Sequence, residues 1–195
     1  MNINLAPLDY LKDQSVHVCI ACRAGVSVGT FQSFKKWNEL AMQMGIASTA
    51  SAIDEGATAR NILTSGFMNS PGTTHMLLID GDVLFEPFHI LALLSSKKHI
   101  IGSGGYHSDI MASEGDIEEV GRINNGFMLV SREALIHLQD HEKIVQIGED
   151  PFLRTYFDTG VRNGTYCEEE WEFTQRWQDI GGHVWSHKLV QPVRP

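Results

Sequence analysis

Two aspartates separated by one glycine, Asp80-Gly81-Asp82, follow directly on the apolar run His75-Met76-Leu77-Leu78-Ile79. A buried strand that exits into two carboxylates can turn both toward one cation, because glycine lets the chain bend between them. Hard carboxylate oxygens suit Mg²⁺ or Mn²⁺. Such an ion usually keeps several waters and takes phosphate oxygens as further ligands, so the chemistry implied is neutralisation of a diphosphate leaving group. An acidic surface turn has the same composition, and the position at the end of an apolar strand is what favours a site. His183 and His187 fall on one face of the last strand, and His187 is the candidate third ligand beside Asp80 and Asp82. A packed or surface histidine is the other reading.

A second acidic group, Glu168-Glu169-Glu170, opens a late helix. Carboxylates are favoured there by the helix dipole alone. Crowding three of them, beside Trp171 and Phe173, also raises a carboxyl pKa toward the working range. On that reading Glu170, and less directly Glu169, takes the proton from an attacking hydroxyl. Arg60, in Ala59-Arg60-Asn61, and Arg23, at the end of the first strand, have the planar fork that grips a diphosphate, and either also suits a surface ion pair. Asp54 and Asp80 complete the expected donor-binding set. Cys19-Ile20-Ala21-Cys22 has the spacing of a redox motif, but a strand lacks the helix dipole that activates a thiolate, so buried thiols are expected. Only Cys167 remains, too few for a zinc site.

The elements that must position these residues alternate. Residues 16–21 form a β-branched apolar strand. Phe31, Phe34, Trp37, Leu40, Ala41 and Met44 recur at helical spacing. Residues 46–53 read as a second strand, and a helix opened by Asp54 or Glu55 runs to Phe67, stopped by Asn69-Ser70-Pro71-Gly72. Pro87 suits the first turn of a helix through Leu94. Strands at 100–102 and 126–130, helices at 132–138 and 168–180, and a final strand at 183–190 complete the series. Gly102-Ser103-Gly104-Gly105 lacks the lysine ending of a phosphate loop and reads as a flexible loop beside the substrate. Asn163-Gly164-Thr165 reads as a turn. This alternation predicts an α/β fold with a mainly parallel central sheet flanked by helices, ligands binding beyond the carboxyl ends of its strands.

With 195 residues, 43% hydrophobic and 20% charged, the chain fits a single domain over residues 1–195, its core at about 16–190. A net charge of -9 disfavours a protein that grips nucleic acid through a basic face, although Lys35-Lys36 and Lys97-Lys98 are local patches that could steer DNA. No apolar run approaches the roughly 20 residues that cross a bilayer, and residues 1–14 lack the pattern of an export signal, so a cytoplasmic location is expected.

In their order these stretches resemble glycosyltransferases of the GT-A fold, in particular compact bacterial and phage members related to the family-two enzymes. The resemblance covers about residues 16–189. It rests on Ala59-Arg60-Asn61, Leu78-Ile79-Asp80-Gly81-Asp82, Asn125-Gly126-Phe127-Met128-Leu129, and Glu169-Glu170-Trp171-Glu172-Phe173 with Arg176-Trp177 and Gly181-Gly182. It implies metal and donor diphosphate at Asp80 and Asp82, and a base at Glu170, where relatives usually carry aspartate. The donor implied is a nucleotide sugar, UDP-sugar favoured. The hydroxyl acceptor is a glycan or small molecule, or a hydroxymethylated pyrimidine in phage DNA. Relatives usually follow the final strand with a histidine, often a metal ligand, and then a glycine; here the chain reads Leu189-Val190-Gln191-Pro192-Val193-Arg194-Pro195. That departure keeps two alternatives open: a non-catalytic nucleotide-sugar or glycan-binding module, and a metal-dependent nucleotidyltransferase.

Overall fold

The computed structural model describes residues 5–54, 58–104, 110–123, 126–141 and 143–194. After a short helix α1 (Leu8–Lys12), the β-branched run becomes β1 (Ser15–Ala21), with Val16, Val18, Cys19 and Ile20 buried. It is parallel to β2 (Ala47–Ile53) on one side and to β3 (His75–Asp80) on the other. The register sets Ala21 beside Asp80, so both strands end at the same edge. Between β1 and β2 runs α2 (Val28–Met44). Ser27 caps it by accepting from the Thr30 amide, and Gly45 ends it in the left-handed conformation at φ 73°.

Next to β3 lies β7 (Phe127–Ser131), antiparallel to it and to β4 (Ile100–Ser103). Beyond β4 come β10 (Val184–His187), parallel to β4, then β6 (Ile117–Val120) and β5 (Ile110–Glu114), each antiparallel to the strand before it. The eight-stranded order is β2-β1-β3-β7-β4-β10-β6-β5. The strands β2, β1, β3, β4, β10 and β5 share one direction, opposed by β7 and β6. The expected α/β architecture is therefore present, with a mixed sheet in which β7 separates β3 from β4.

Helices cover both faces, α2 through one apolar stripe and α4 by a run buried on every side, His89 to Leu94. On one face, α2 and α4 (Pro87–Ser95) bury Trp37, Ala41, Ile90 and Leu93 with Leu11. On the other, α3 (Ala59–Asn69), α5 (Arg132–Asp140) and α6 (Glu169–Asp179) bury Leu63, Phe67, Leu135, Phe173 and Trp177. Asn61 ties α3 to the chain ahead of α6: its side-chain amide donates to the Phe157 carbonyl at 2.6 Å and accepts from the Phe157 amide at 2.7 Å.

Several boundaries differ from expectation. The third helix starts at Ala59, while Asp54 accepts a bond from the Gly25 amide and Glu55 lies outside the described residues. The last strand is short, and His183 precedes it, bonded to Glu119. Gly102 and Ser103 belong to β4 rather than to a flexible loop; a Cβ on Gly102 would sit 2.8 Å from the Phe127 carbonyl oxygen. Gly105 lies outside the described residues. Asn163 and Gly164 do turn, both with positive φ, and join β8 (Gly160–Arg162) to β9 (Thr165–Cys167) as a hairpin. Among the described residues no helix is long and apolar enough to cross a membrane.

Candidate functional site

The carboxyl ends of β1 and β3 open into a cleft of about 940 Å³. Its floor is the Asp80-Gly81-Asp82 turn, one wall is residues 22–27 after β1, and the other is Arg60, the start of α6, and Thr159 and Tyr166 around the β8–β9 hairpin. Asp82 is exposed to the cleft. Gly81 is required by close approach, since a Cβ there would meet the Gly25 carbonyl oxygen at 2.9 Å and Cys22 Sγ at 3.2 Å. The turn is held from that side as well: the Ser27 amide and the Thr30 hydroxyl both donate to the Gly81 carbonyl, at 2.8 and 2.9 Å. Gly81→Ala is expected to lose about 1–3 kcal/mol of stability in urea denaturation, because backbone faces the new methyl group. An unchanged unfolding midpoint would show that residues 22–27 are not locked to the turn.

Asp80 is only slightly exposed and is engaged on both oxygens. Arg60 donates to Oδ1 at 2.7 Å, and the Arg194 guanidinium binds Oδ2. Arg60 also donates to Glu169 at 3.1 Å, and its Nη2 lies 2.8 Å from Glu170 Oε1. One guanidinium at the start of α3 thus faces three carboxylates, from the end of β3 and the first turn of α6. Burial lowers the Arg60 pKa, but Glu170, Asp80 and Glu169 together outweigh it, and the net displacement is upward.

Glu170 is the most enclosed member, its side chain 6% exposed. Its Oε1 is within ion-pair distance of Arg60 but lacks the geometry of a hydrogen bond. Burial raises its pKa, and Arg60 offsets that only in part. A carboxyl so placed holds a proton more readily than an exposed glutamate does, which suits an acid–base role. The two crowded glutamates, Asp80, Asp82, Arg60 and Arg23, which is exposed on the β1 side, are all brought to one cleft.

Two expected members are not. Asp54 anchors the loop after β1 through Gly25 and does not line the cleft. His187 is buried within the sheet between β4 and β6, its Nδ1 accepting from the Leu189 amide. Among the described residues no three His, Cys, Asp or Glu side chains converge to hold a metal ion. With Asp80 committed to arginines, the protein offers Mg²⁺ or Mn²⁺ the exposed carboxylate of Asp82. That fits an ion whose remaining ligands are phosphate oxygens and water rather than one caged by the protein.

Cys19, Cys22 and Cys167 are buried free thiols, and burial pushes the Cys19 pKa far up. The lysine pairs form no basic face: Lys35 faces Glu39, Lys36 faces Glu86, Lys98 faces Glu114, and Lys97 lies over the Tyr10 ring. Sequence reading missed Arg194 and Tyr166. The Asn163-Gly164 turn was a usable signal for Tyr166, two residues beyond it on the returning strand, whereas nothing local points to Arg194.

No protein-family model matches this sequence, and no curated protein sequence matches it. Among solved structures the chain is similar to A197 from STIV, at 13% identity and a TM-score of 0.54, over 93% of this chain and 85% of that one. It is also similar to GalNAc-T7, solved with UDP, GalNAc and Mn²⁺, at 10% identity and a TM-score of 0.48, over 93% of this chain but 43% of that one. A glycosyltransferase involved in the glycosylation of the major capsid of PBCV-1 aligns at 12% identity and a TM-score of 0.41, over 91% of this chain and 95% of that one. At such identities the likeness to A197 is one of fold.

Proposed function

We propose that this protein transfers a sugar from a nucleoside diphosphate sugar to a hydroxyl acceptor, as the GT-A glycosyltransferases that its motif order resembles do. The observation that carries the reading is Glu170: a buried carboxyl with a raised pKa in the cleft whose floor is the Asp80-Gly81-Asp82 turn. In the inverting reaction, the Glu170 carboxylate accepts the acceptor's hydroxyl proton while that oxygen bonds to the anomeric carbon. The bond from that carbon to the diphosphate oxygen breaks, and the nucleoside diphosphate departs with the electron pair.

Arg60 holds Glu170, Glu169 and Asp80 in one cluster and so aims the base. Asp82 would hold Mn²⁺ or Mg²⁺ together with the donor's phosphates, an ion that supplies charge neutralisation for the leaving group. Exposed Arg23 faces the donor from the β1 side. Tyr166, 61% exposed at the rim, offers an aromatic surface to a sugar ring. A UDP-sugar is the favoured donor. The acidic net charge and the individually occupied lysines favour a glycan or small-molecule acceptor over hydroxymethylated DNA.

A thermal-stability screen of nucleotide sugars with Mn²⁺, followed by product analysis with free sugars and with hydroxymethylated DNA, tests this. At a hundredfold excess over Kd, the right donor should raise Tm by about 5–10 °C for a domain of this size. Absence of any shift across the panel would sink the proposal. Pyrophosphate release from a nucleoside triphosphate would select nucleotidyl transfer instead, and a shift without hydrolysis or transfer would select a binding module.

A further inference from the structure

A second recess lies at the opposite end of β3 from the Asp80-Gly81-Asp82 turn. His75 opens β3, Ser131 closes β7 and His99 precedes β4, and around these three ends is a groove of about 510 Å³. By the rise of an extended strand, His75 stands about 17 Å from Asp80.

His75 is 8% exposed, and it lines this groove. Its Nδ1 lies 2.9 Å from the Thr74 hydroxyl. That hydroxyl accepts from the Ser15 amide at 2.9 Å and gives its one proton to the Ser15 carbonyl at 3.0 Å, so His75 Nδ1 is the donor. Burial, with His99 adding to it, lowers the His75 pKa to about 4, and the ring is neutral near neutral pH. Nε2 therefore carries a lone pair, and among the described residues none donates to it. An enclosed acceptor of this kind is costly unless a donor reaches it.

Lys97 supplies the opposite character. It follows α4 in left-handed backbone, φ 54°, a conformation that glycine takes more easily. Its Nζ lies 4.4 Å from the Tyr10 ring centroid, and among the described residues no carboxylate pairs with it. The aromatic face fixes the ammonium without taking up its N–H donors. The other two cations at the groove have spent theirs. Lys98 donates to Glu114 at 2.9 Å and lies over the Trp185 ring, and Arg132 donates to four carbonyls between Phe67 and Thr73. Their charge remains, and Glu133 is the one carboxylate among the described lining residues. In a chain of net charge -9, this lining is locally positive.

We infer that this groove is a second ligand site, for a small phosphate compound that also presents an O–H group. Lys97 binds the anionic oxygens, and His75 Nε2 accepts from the O–H, whether of a protonated phosphate or of a sugar hydroxyl. Sulfate has the shape and charge of phosphate but no proton to give, so an acceptor in the wall discriminates against it. The volume lies in the range of small-molecule sites and admits a phosphorylated sugar.

The test is calorimetric titration of the full chain near neutral pH with glucose 6-phosphate, inorganic phosphate, sulfate and glucose, for wild type, Lys97→Gly and His75→Phe. The His75 ring signals are followed by NMR in the same titrations. Wild type should bind a phosphate probe at least about 10-fold more tightly than sulfate, with a shift of those signals. Tighter binding of glucose 6-phosphate than of inorganic phosphate identifies a sugar phosphate as the ligand, and equal binding identifies free phosphate. Lys97→Gly, whose backbone suits glycine, should weaken phosphate and sulfate alike by about 10-fold. His75→Phe should bring the phosphate probes down to the level of sulfate and leave sulfate unchanged. The inference is overturned if neither phosphate probe binds wild type more tightly than sulfate. Unchanged phosphate affinity in Lys97→Gly, with the His75 signals unmoved in wild type, would overturn it too, by putting the bound anion elsewhere.

Discussion

Glu170→Gln lowers the turnover of sugar transfer by about 10²- to 10⁴-fold and leaves donor binding unchanged, if Glu170 is the base. Glutamine keeps the shape and one oxygen but cannot take a proton at any accessible pH. The wild-type rate should rise with pH through the raised pKa of Glu170, since the ionised form is the active one, and the variant's residual rate should not follow that rise. Stability gives an independent readout of the same group. The folded-state pKa is raised above the ordinary 4.5, so the folded protein holds this proton more tightly than the unfolded chain does. The resulting stabilisation is full below the unfolded value and is lost as pH climbs through the folded one. Above that window the buried charge opposes folding, and Glu170→Gln should melt at or above the wild-type temperature while being nearly inactive. Turnover equal to wild type, or a rate that falls across the same pH range, would remove Glu170 from the chemistry.

The second large effect is on folding. Arg60→Ala leaves Asp80, Glu169 and Glu170 facing one another without the guanidinium that separates them, and its side chain is only 17% exposed. Breaking a buried pair by removing one partner costs about 3–5 kcal/mol, because the remaining charge is left uncompensated. Urea denaturation near neutral pH should show a loss of that order. The deficit should narrow in mild acid, where Glu170, whose pKa burial raises, takes up a proton and relieves the repulsion. Arg60→Lys should recover part of it, since one ammonium cannot span three carboxylates. A loss below about 1 kcal/mol at neutral pH would place Arg60 among surface ion pairs of little consequence.

Much of the site was legible because its signals are local. An apolar run that stops at Asp80-Gly81-Asp82 marks a strand exit, and the β1–β3 register delivers it to the open edge of the sheet. Three glutamates before an aromatic helix mark a helix start, and α6 begins there. The Asn163-Gly164 pair marks a turn. What flanks that turn was not legible, since β8 and β9 are three residues each and too short to show a period. Neither was β5, whose residues are exposed throughout and carry no buried face. The Asn125 position of the Gly-Phe-Met-Leu stretch lies outside the described residues, but Gly126 earned its place by leaving space for an ion pair.

His187 shows the limit of strand periodicity. Spacing put it on a face of the last strand, and only the neighbours on either side, β4 and β6, decided that this position is enclosed within the sheet. The same limit governs the charges. The sequence by itself determined which carboxylates and which arginine stand at strand and helix ends, because hydrophobic period and capping act over a few residues. Tertiary structure alone decided that Asp80 is shared by Arg60, 20 residues away, and Arg194, 114 residues away, leaving Asp82 as the outward-facing member of the pair. Coulombic pairing depends on distance in space, and no spacing along a chain encodes which distant group will arrive.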